Sequence, residues 1–230
     1  MKIKIQTTSD IHVDGIKCVV YGESGVGKTV LCSTAPEPFI ISAEGGLLSL
    51  QGHNIPYVEV RTLQEVSDAY DFVTKSDEAK QFKTICIDSL SELTEVCLVS
   101  IKRQLIAESE NGKIDARQAY GKVAESVGMM IRRFRDLPGR DVVLIAKQKR
   151  ITDEESGISQ FEPYMPGKVL PFNLPYLVDE VFCMRVNRDG SRYLQTVGDR
   201  KYVAKDRSGK LVPQENPNIT SIFNKIRGNL

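Results

Sequence analysis

Residues 22–29 read GESGVGKT, and the apolar run IKCVVY at residues 16–21 leads into them. The octet fits G-x-x-x-x-G-K-[S/T] without a gap, the signature of a phosphate-binding P-loop. Backbone N–H groups converge on a polyphosphate only where side chains are out of the way, which is what Gly22, Gly25 and Gly27 provide. Glu23, Ser24 and Val26 fill the variable positions, with Glu23 expected to point outward. Lys28 is expected to reach the β- and γ-phosphates, and Thr29 to offer its hydroxyl to Mg²⁺. Val30 completes the nucleotide-binding set on a helix, VLCSTA, whose positive end faces the phosphates. A glycine-rich turn is the bland alternative, but a strand before the octet and a helix after it supply the context a P-loop needs.

Outward from this point, the composition bounds the rest. The 230 residues suit one α/β domain, taken as 16–230, preceded by an N-terminal segment, 1–15. In that segment Lys2 to Ile5 alternate and are expected to pair as an edge strand, within the subunit or with a neighbour. Lys plus Arg number 31 against 30 for Asp plus Glu, so no global field advertises nucleic acid or an anionic membrane. Five cysteines, Cys18, Cys32, Cys86, Cys97 and Cys183, are odd in number, lack a C-x-x-C pair and mostly sit in apolar runs, which points to a reducing compartment. No secretion signal and no apolar stretch of roughly 18 residues is evident, so the expectation is a soluble cytoplasmic protein without a membrane partner.

Along the chain, apolar strands alternate with helical patterns. FIISA at residues 39–43 reads as a buried strand ending at Glu44, and TICID at residues 84–88 as another ending at Asp88. DVVLIA at residues 141–146 is a third, ending at Lys147-Gln148-Lys149. Helices are expected at residues 63–75, 91–107 and from Tyr120 to Phe134, and a last one opens at Pro217-Asn218. Residues 108–118 (ESENGKIDARQ) and 147–168 read as polar loops, the second long enough to be functional. DEVFCMRV at residues 179–186 and the run 192–197 frame a hairpin turn at Asn187-Arg188-Asp189-Gly190. The fold class is therefore a mostly parallel, doubly wound α/β sheet flanked by helices, with a C-terminal antiparallel hairpin.

The carboxyl edges of these strands carry the chemistry. Asp88 follows the apolar-run-then-acid pattern of a strand that holds Mg²⁺, usually through water, the alternative being a cap for the helix that follows. Hydrolysis needs a carboxylate to orient and deprotonate water, and the position after Asp88 is Ser89, so Glu44 is the candidate base. Gln148, uncharged among cations, is suited to sensing the γ-phosphate. His12 and His53 stand alone without metal-ligand spacing, and Arg132, Arg133 and Arg135 read as a solvated helix face.

The order GESGVGKT, FIISAEGG, TICIDS, LIAKQ resembles the core of RecA-type recombinases, and more closely the small phage-encoded ATPases of that kind that include single-strand annealing proteins. The Tyr120-Gly121 pair, the Asp179-Glu180-Val181 strand and the stretch Lys205-Asp206-Arg207-Ser208-Gly209 carry the likeness over nearly the whole chain. It implies a RecA-like P-loop NTPase fold, ATP and Mg²⁺ as cofactors, a DNA-stimulated ATPase activity, and assembly into an oligomer or filament on single-stranded DNA, in a phage-infected bacterial cytosol. A single-stranded-DNA-binding protein would be a further partner. The two polar loops would then hold DNA, through Lys113 and Arg117 in the first and Lys149, Arg150 and Lys168 in the second, with Phe161 and Tyr164 stacking on bases. Asp153, Glu154, Glu155 and Glu162 oppose this in charge. A neighbouring subunit would supply a cation to the γ-phosphate from Arg200, Lys201, Lys205 or Arg207. Two other classes compete: a small-molecule or nucleotide kinase, for which the second loop is the only lid, and an adaptor of a phage replication module that uses nucleotide to order an assembly.

Overall fold

The computed structural model describes residues 14–154 and 157–229; the expected N-terminal edge strand and His12 lie outside the described residues. The sheet begins where the chain is most apolar. β1 (Lys17–Gly22) is buried at every position and has β5 (Asp141–Thr152) on one side and β7 (Glu180–Val186) on the other, both parallel to it. Beyond β5 lie β4 (Thr84–Asp88), β2 (Pro38–Ser42) and the short edge strand β3 (Tyr57–Glu59), all parallel. Beyond β7 the direction reverses, with β8 (Arg192–Gln195) antiparallel to it and β10 (Gln214–Glu215) antiparallel to β8. The spatial order is thus β10-β8-β7-β1-β5-β4-β2-β3. The short β9 (Lys205–Asp206) pairs with β7 outside that path.

Two cores result because successive strand residues face opposite ways. Val19, Tyr21, Ile41, Ile85, Ile87 and Leu144 pack beneath α2 (Leu63–Lys75), α3 (Leu90–Glu108), α4 (Ala116–Arg135) and α5 (Val169–Leu177). Cys18, Val20, Ile40, Cys86, Ile145 and Phe182 pack against α1 (Lys28–Cys32) and α6 (Ile219–Arg227). Burial on both faces explains why the central strands read as continuous apolar runs, as parallel strands between helical layers do. All five cysteines are buried and unpaired, so they serve as small apolar fillers.

Helix ends follow local chemistry. Thr62 and Glu65 form a reciprocal cap at the start of α2, and Asn218 caps α6, at the expected Pro217-Asn218 opening. α4 starts at Ala116, four residues ahead of the expected Tyr120, because Asp115 accepts the Arg117 N–H and caps it there. The first polar loop is correspondingly shorter.

One expectation is corrected. Residues 147–168 are not a long loop: β5 runs on past the sheet to Thr152 and pairs antiparallel with β6 (Ser159–Pro163). Phe161 of the arm packs on the core while residues 149–152 are exposed, so the arm carries too few inward apolar residues for an alternation that a sequence reading could find. Beyond the arm lies α5, a nine-residue helix that contains Pro171 and Pro175. Pro171 falls in the first turn, where no intrahelical N–H bond is lost. At the other end Lys205 Nζ donates to the carbonyls of Pro175 and Val178.

Candidate functional site: a P-loop cleft at the carboxyl ends of the strands

The P-loop leaves β1 and turns into α1 at the carboxyl edge of the sheet. Gly27, the residue before α1, has φ 105, and Gly25 has φ 75, both in the left-handed region where a side chain strains the backbone. Gly22 is required for a different reason: a Cβ there would stand 2.5 Å from the carbonyl oxygen of Met184 on β7. Glu23 and Ser24 are exposed and Val26 is buried against the α1 side of the sheet, as their places in the pattern suggest.

The loop opens into a cleft of ≈ 920 Å³ lined by Lys28, Thr29, Glu44, Asp88, Gln148 and Arg192, among others. Its size is of the order that takes a small-molecule ligand. Glu44, Asp88 and Gln148 come from three neighbouring strands, β2, β4 and β5, so the sheet order itself gathers the candidate groups on one side of β1. Lys28 Nζ donates to the carbonyls of Gly22 at 2.9 Å and Glu23 at 2.7 Å, which curls the ammonium over the loop. Burial lowers its pKa, and Glu44 and Asp88 oppose that shift.

Thr29 Oγ1 donates to Asp88 Oδ2 at 2.6 Å, so the two oxygens expected at the metal are already adjacent. Burial raises the Asp88 pKa, against the Thr29 hydrogen bond that lowers it. Ser42, the register partner of Asp88 on β2, is buried with a hydroxyl that finds no hydrogen-bond partner among the described residues. Among the described residues no group of three His, Cys, Asp or Glu side chains is placed to hold an ion alone. The arrangement therefore fits Mg²⁺, which takes one or two protein oxygens and fills its octahedron with water and phosphate oxygens.

Asp88 does not cap the following helix; Ser89 does. Its Oγ accepts the Glu92 N–H at 3.2 Å and also donates to Glu44 Oε1. Ser89 thereby joins the end of β2 to the start of α3 and fixes where the Glu44 carboxylate points. Its role was hidden in the sequence because a serine after an acid reads only as a cap. Gln148 is half-buried at the point where β5 leaves the sheet, beside Cys183 Sγ at 3.8 Å. Lys147 lines the same cleft, with its ammonium paired with Glu92 at 2.6 Å and Glu95 at 3.3 Å.

With this geometry in place, the comparisons decide the family. A family model described as an AAA domain matches residues 14–208. The chain belongs to the AAA-domain family. It is accordingly a P-loop ATPase domain, with the α/β fold that the P-loop foretold. None of the curated proteins matches it. Solved structures do, in 146 chains. One is an ATPase from the type III secretion system of pathogenic bacteria, 13% identical with a TM-score of 0.46, over 76% of this chain and 53% of that one. This AAA domain thus spans about half the length of that protein.

The remaining candidates of the AAA domain are scattered. Lys205 is committed to the end of α5, as described, and Arg207 pairs with Asp179 at 2.9 Å, so both cations are used inside their own subunit. Arg200 and Lys201 are exposed. Lys113 and Arg117 are exposed at the α3–α4 connection, Lys149 and Arg150 on the β5–β6 arm, and Lys168 just before α5. Arg150 also reaches Ser159 at 2.8 Å across the arm. Phe161 is half-buried. Its ring stacks on Tyr202 at 5.1 Å, with the Arg185 guanidinium over the other ring, and its carbonyl accepts from Tyr21. Tyr164 is half-buried, with Lys149 Nζ 6.0 Å from its ring centre.

Proposed function

We propose that this ATPase domain binds and hydrolyses ATP with Mg²⁺ held at Thr29 and Asp88, and that it works as a homo-oligomer on single-stranded DNA in recombination or strand annealing. The observation that carries the hydrolytic reading is the carboxylate of Glu44, tethered by Ser89 at the end of β2 in the same cleft as Lys28 and Asp88. Lys28 neutralises the β- and γ-phosphate oxygens. Glu44 orients a water for in-line attack and takes its proton as the new phosphorus–oxygen bond forms and the bond to the bridging oxygen breaks. Mg²⁺, when bound, supplies Lewis-acid charge for the β- and γ-phosphate oxygens. Gln148 accompanies the γ-phosphate by hydrogen bonding.

The DNA reading is supported by continuity. Gln148 sits on the same strand as Lys149 and Arg150, so a change sensed at the phosphate is transmitted along β5 into the exposed β5–β6 arm. Lys113, Arg117 and Lys168 add cations for a phosphate backbone. Self-association is supported by α5, where Val169, Phe172 and Tyr176 are 57%, 67% and 71% exposed. A neighbour's Arg200 or Lys201 would then face the γ-phosphate, and a single-stranded-DNA-binding protein would serve as loading partner. For the kinase alternative the lid candidate is now the β5–β6 hairpin arm.

The test is ATP turnover with and without single-stranded DNA at two salt concentrations. DNA should raise turnover, and higher salt should remove the increase. Turnover indifferent to DNA, with no complex at low salt, would sink the DNA role. Nucleotide-dependent assembly without turnover would establish the adaptor in its place.

A further inference from the structure

One residue of the cleft was not anticipated from any motif. Arg192 opens β8, just after the turn that follows β7, and lines the cleft with the P-loop and Pro217. Its Nε and Cδ lie 3.4 and 3.5 Å from where a Cβ on Gly27 would stand, so the missing side chain of Gly27 is the space along which the arginine lies. Among the described residues no hydrogen bond or ion pair engages its guanidinium. A cation laid over the last glycine of a phosphate-binding loop, with no carboxylate of its own, has its electrostatic partner still to come.

The sheet order says which part of the nucleotide that is. Glu44, Asp88 and Gln148 descend from β2, β4 and β5, all on one side of β1. Arg192 descends from β8, two strands away on the other side. The groups assigned to the γ-phosphate and the arginine therefore approach the P-loop from opposite flanks. Building on the nucleotide-binding reading above, we propose that Arg192 grips the α- and β-phosphates in cis, on the flank of the loop away from the hydrolytic groups. A bidentate guanidinium suits adjacent phosphate oxygens, which a lysine meets as a point charge only.

The experiment measures binding of ADP and of a non-hydrolysable ATP analogue, with Mg²⁺, to the full chain and to Arg192→Gln, Arg192→Lys and Lys28→Ala variants. Arg192 is exposed, so its replacement should leave the melting temperature in place. Arg192→Gln should weaken both nucleotides by a similar factor, about tenfold, with Arg192→Lys in between. The salt dependence of ADP affinity should also flatten in Arg192→Gln, which a purely structural role would not cause. Unchanged affinity for both nucleotides overturns the proposal, as does a loss confined to the ATP analogue, which would move Arg192 to the γ-phosphate. If the unmodified chain binds neither nucleotide, the nucleotide-binding reading itself fails, and Arg192 falls with it.

Discussion

Glu44 is the residue on which most depends, and the way it is held makes its role testable. Glu44→Gln keeps the size and the acceptor toward Ser89 but removes the basic carboxylate. Hydrolysis should fall roughly 10²–10⁴-fold, the usual worth of a positioned base, while nucleotide binding persists. Gly22→Ala is expected to act differently, since its Cβ would collide with the Met184 carbonyl between β1 and β7. A loss of about 2 kcal/mol, read as a lower melting temperature without nucleotide, is expected from such overpacking; an unshifted melt would show that the two strands yield freely. At this scale the phosphate loop, Asp88, Glu44 and Gln148 were legible because each ends an apolar run. Ser89 and Arg192 were not. A serine carries no charge to flag it, and Arg192 reaches the site only through the pairing of β8 with β7, a contact that spacing along the chain does not encode.

Among the elements, β7 carries a buried acid that ties stability to pH. Glu180 is 1% exposed, and burial, with the nearby Asp206 carboxylate, pushes its pKa from the ordinary 4.5 up to about 7. A carboxyl whose pKa rises on folding contributes stability that is fully present below its unfolded value and is lost as pH climbs through the folded one. Stability should therefore decline between about pH 4.5 and pH 7, and Glu180→Gln should flatten that decline in denaturant titrations. An unaltered pH profile in the variant would remove Glu180 as the cause. Asp206, whose pKa is lowered overall by its hydrogen bonds despite partial burial, loses its contribution only in more acid solution, below the ordinary 3.8. The β5–β6 arm offers a second case. Phe161→Ala should cost roughly 2 kcal/mol, because the ring is packed on Tyr202, whereas a residue reserved for bases would melt unchanged. The parallel strands and long helices were readable from their apolar periods. The arm and α5 were not, since a hairpin that turns little besides Phe161 and Pro163 inward shows no alternation and prolines in a helix mimic a break.

For the molecule as a whole, the topology explains how one cleft can speak to distant surfaces. β5 joins the flank that holds Asp88 and Gln148 to the β5–β6 arm, and β7–β8 joins the other flank to the arginine over the P-loop. The described residues contain no helix long and apolar enough to cross a membrane. The proposed self-association through exposed Phe172 and Tyr176 on α5 predicts that Phe172→Asp with Tyr176→Asp lowers the mass seen in sedimentation while leaving the monomer folded; an unchanged mass would count against it. Net charge near zero leaves composition silent on nucleic acid. The most direct measurement is single-turnover hydrolysis of ATP with Mg²⁺, set beside nucleotide binding, for the unmodified chain and Glu44→Gln. The expected result is retained binding with hydrolysis reduced at least a hundredfold; hydrolysis at the unmodified rate in Glu44→Gln would contradict the placement of the catalytic base at the end of β2.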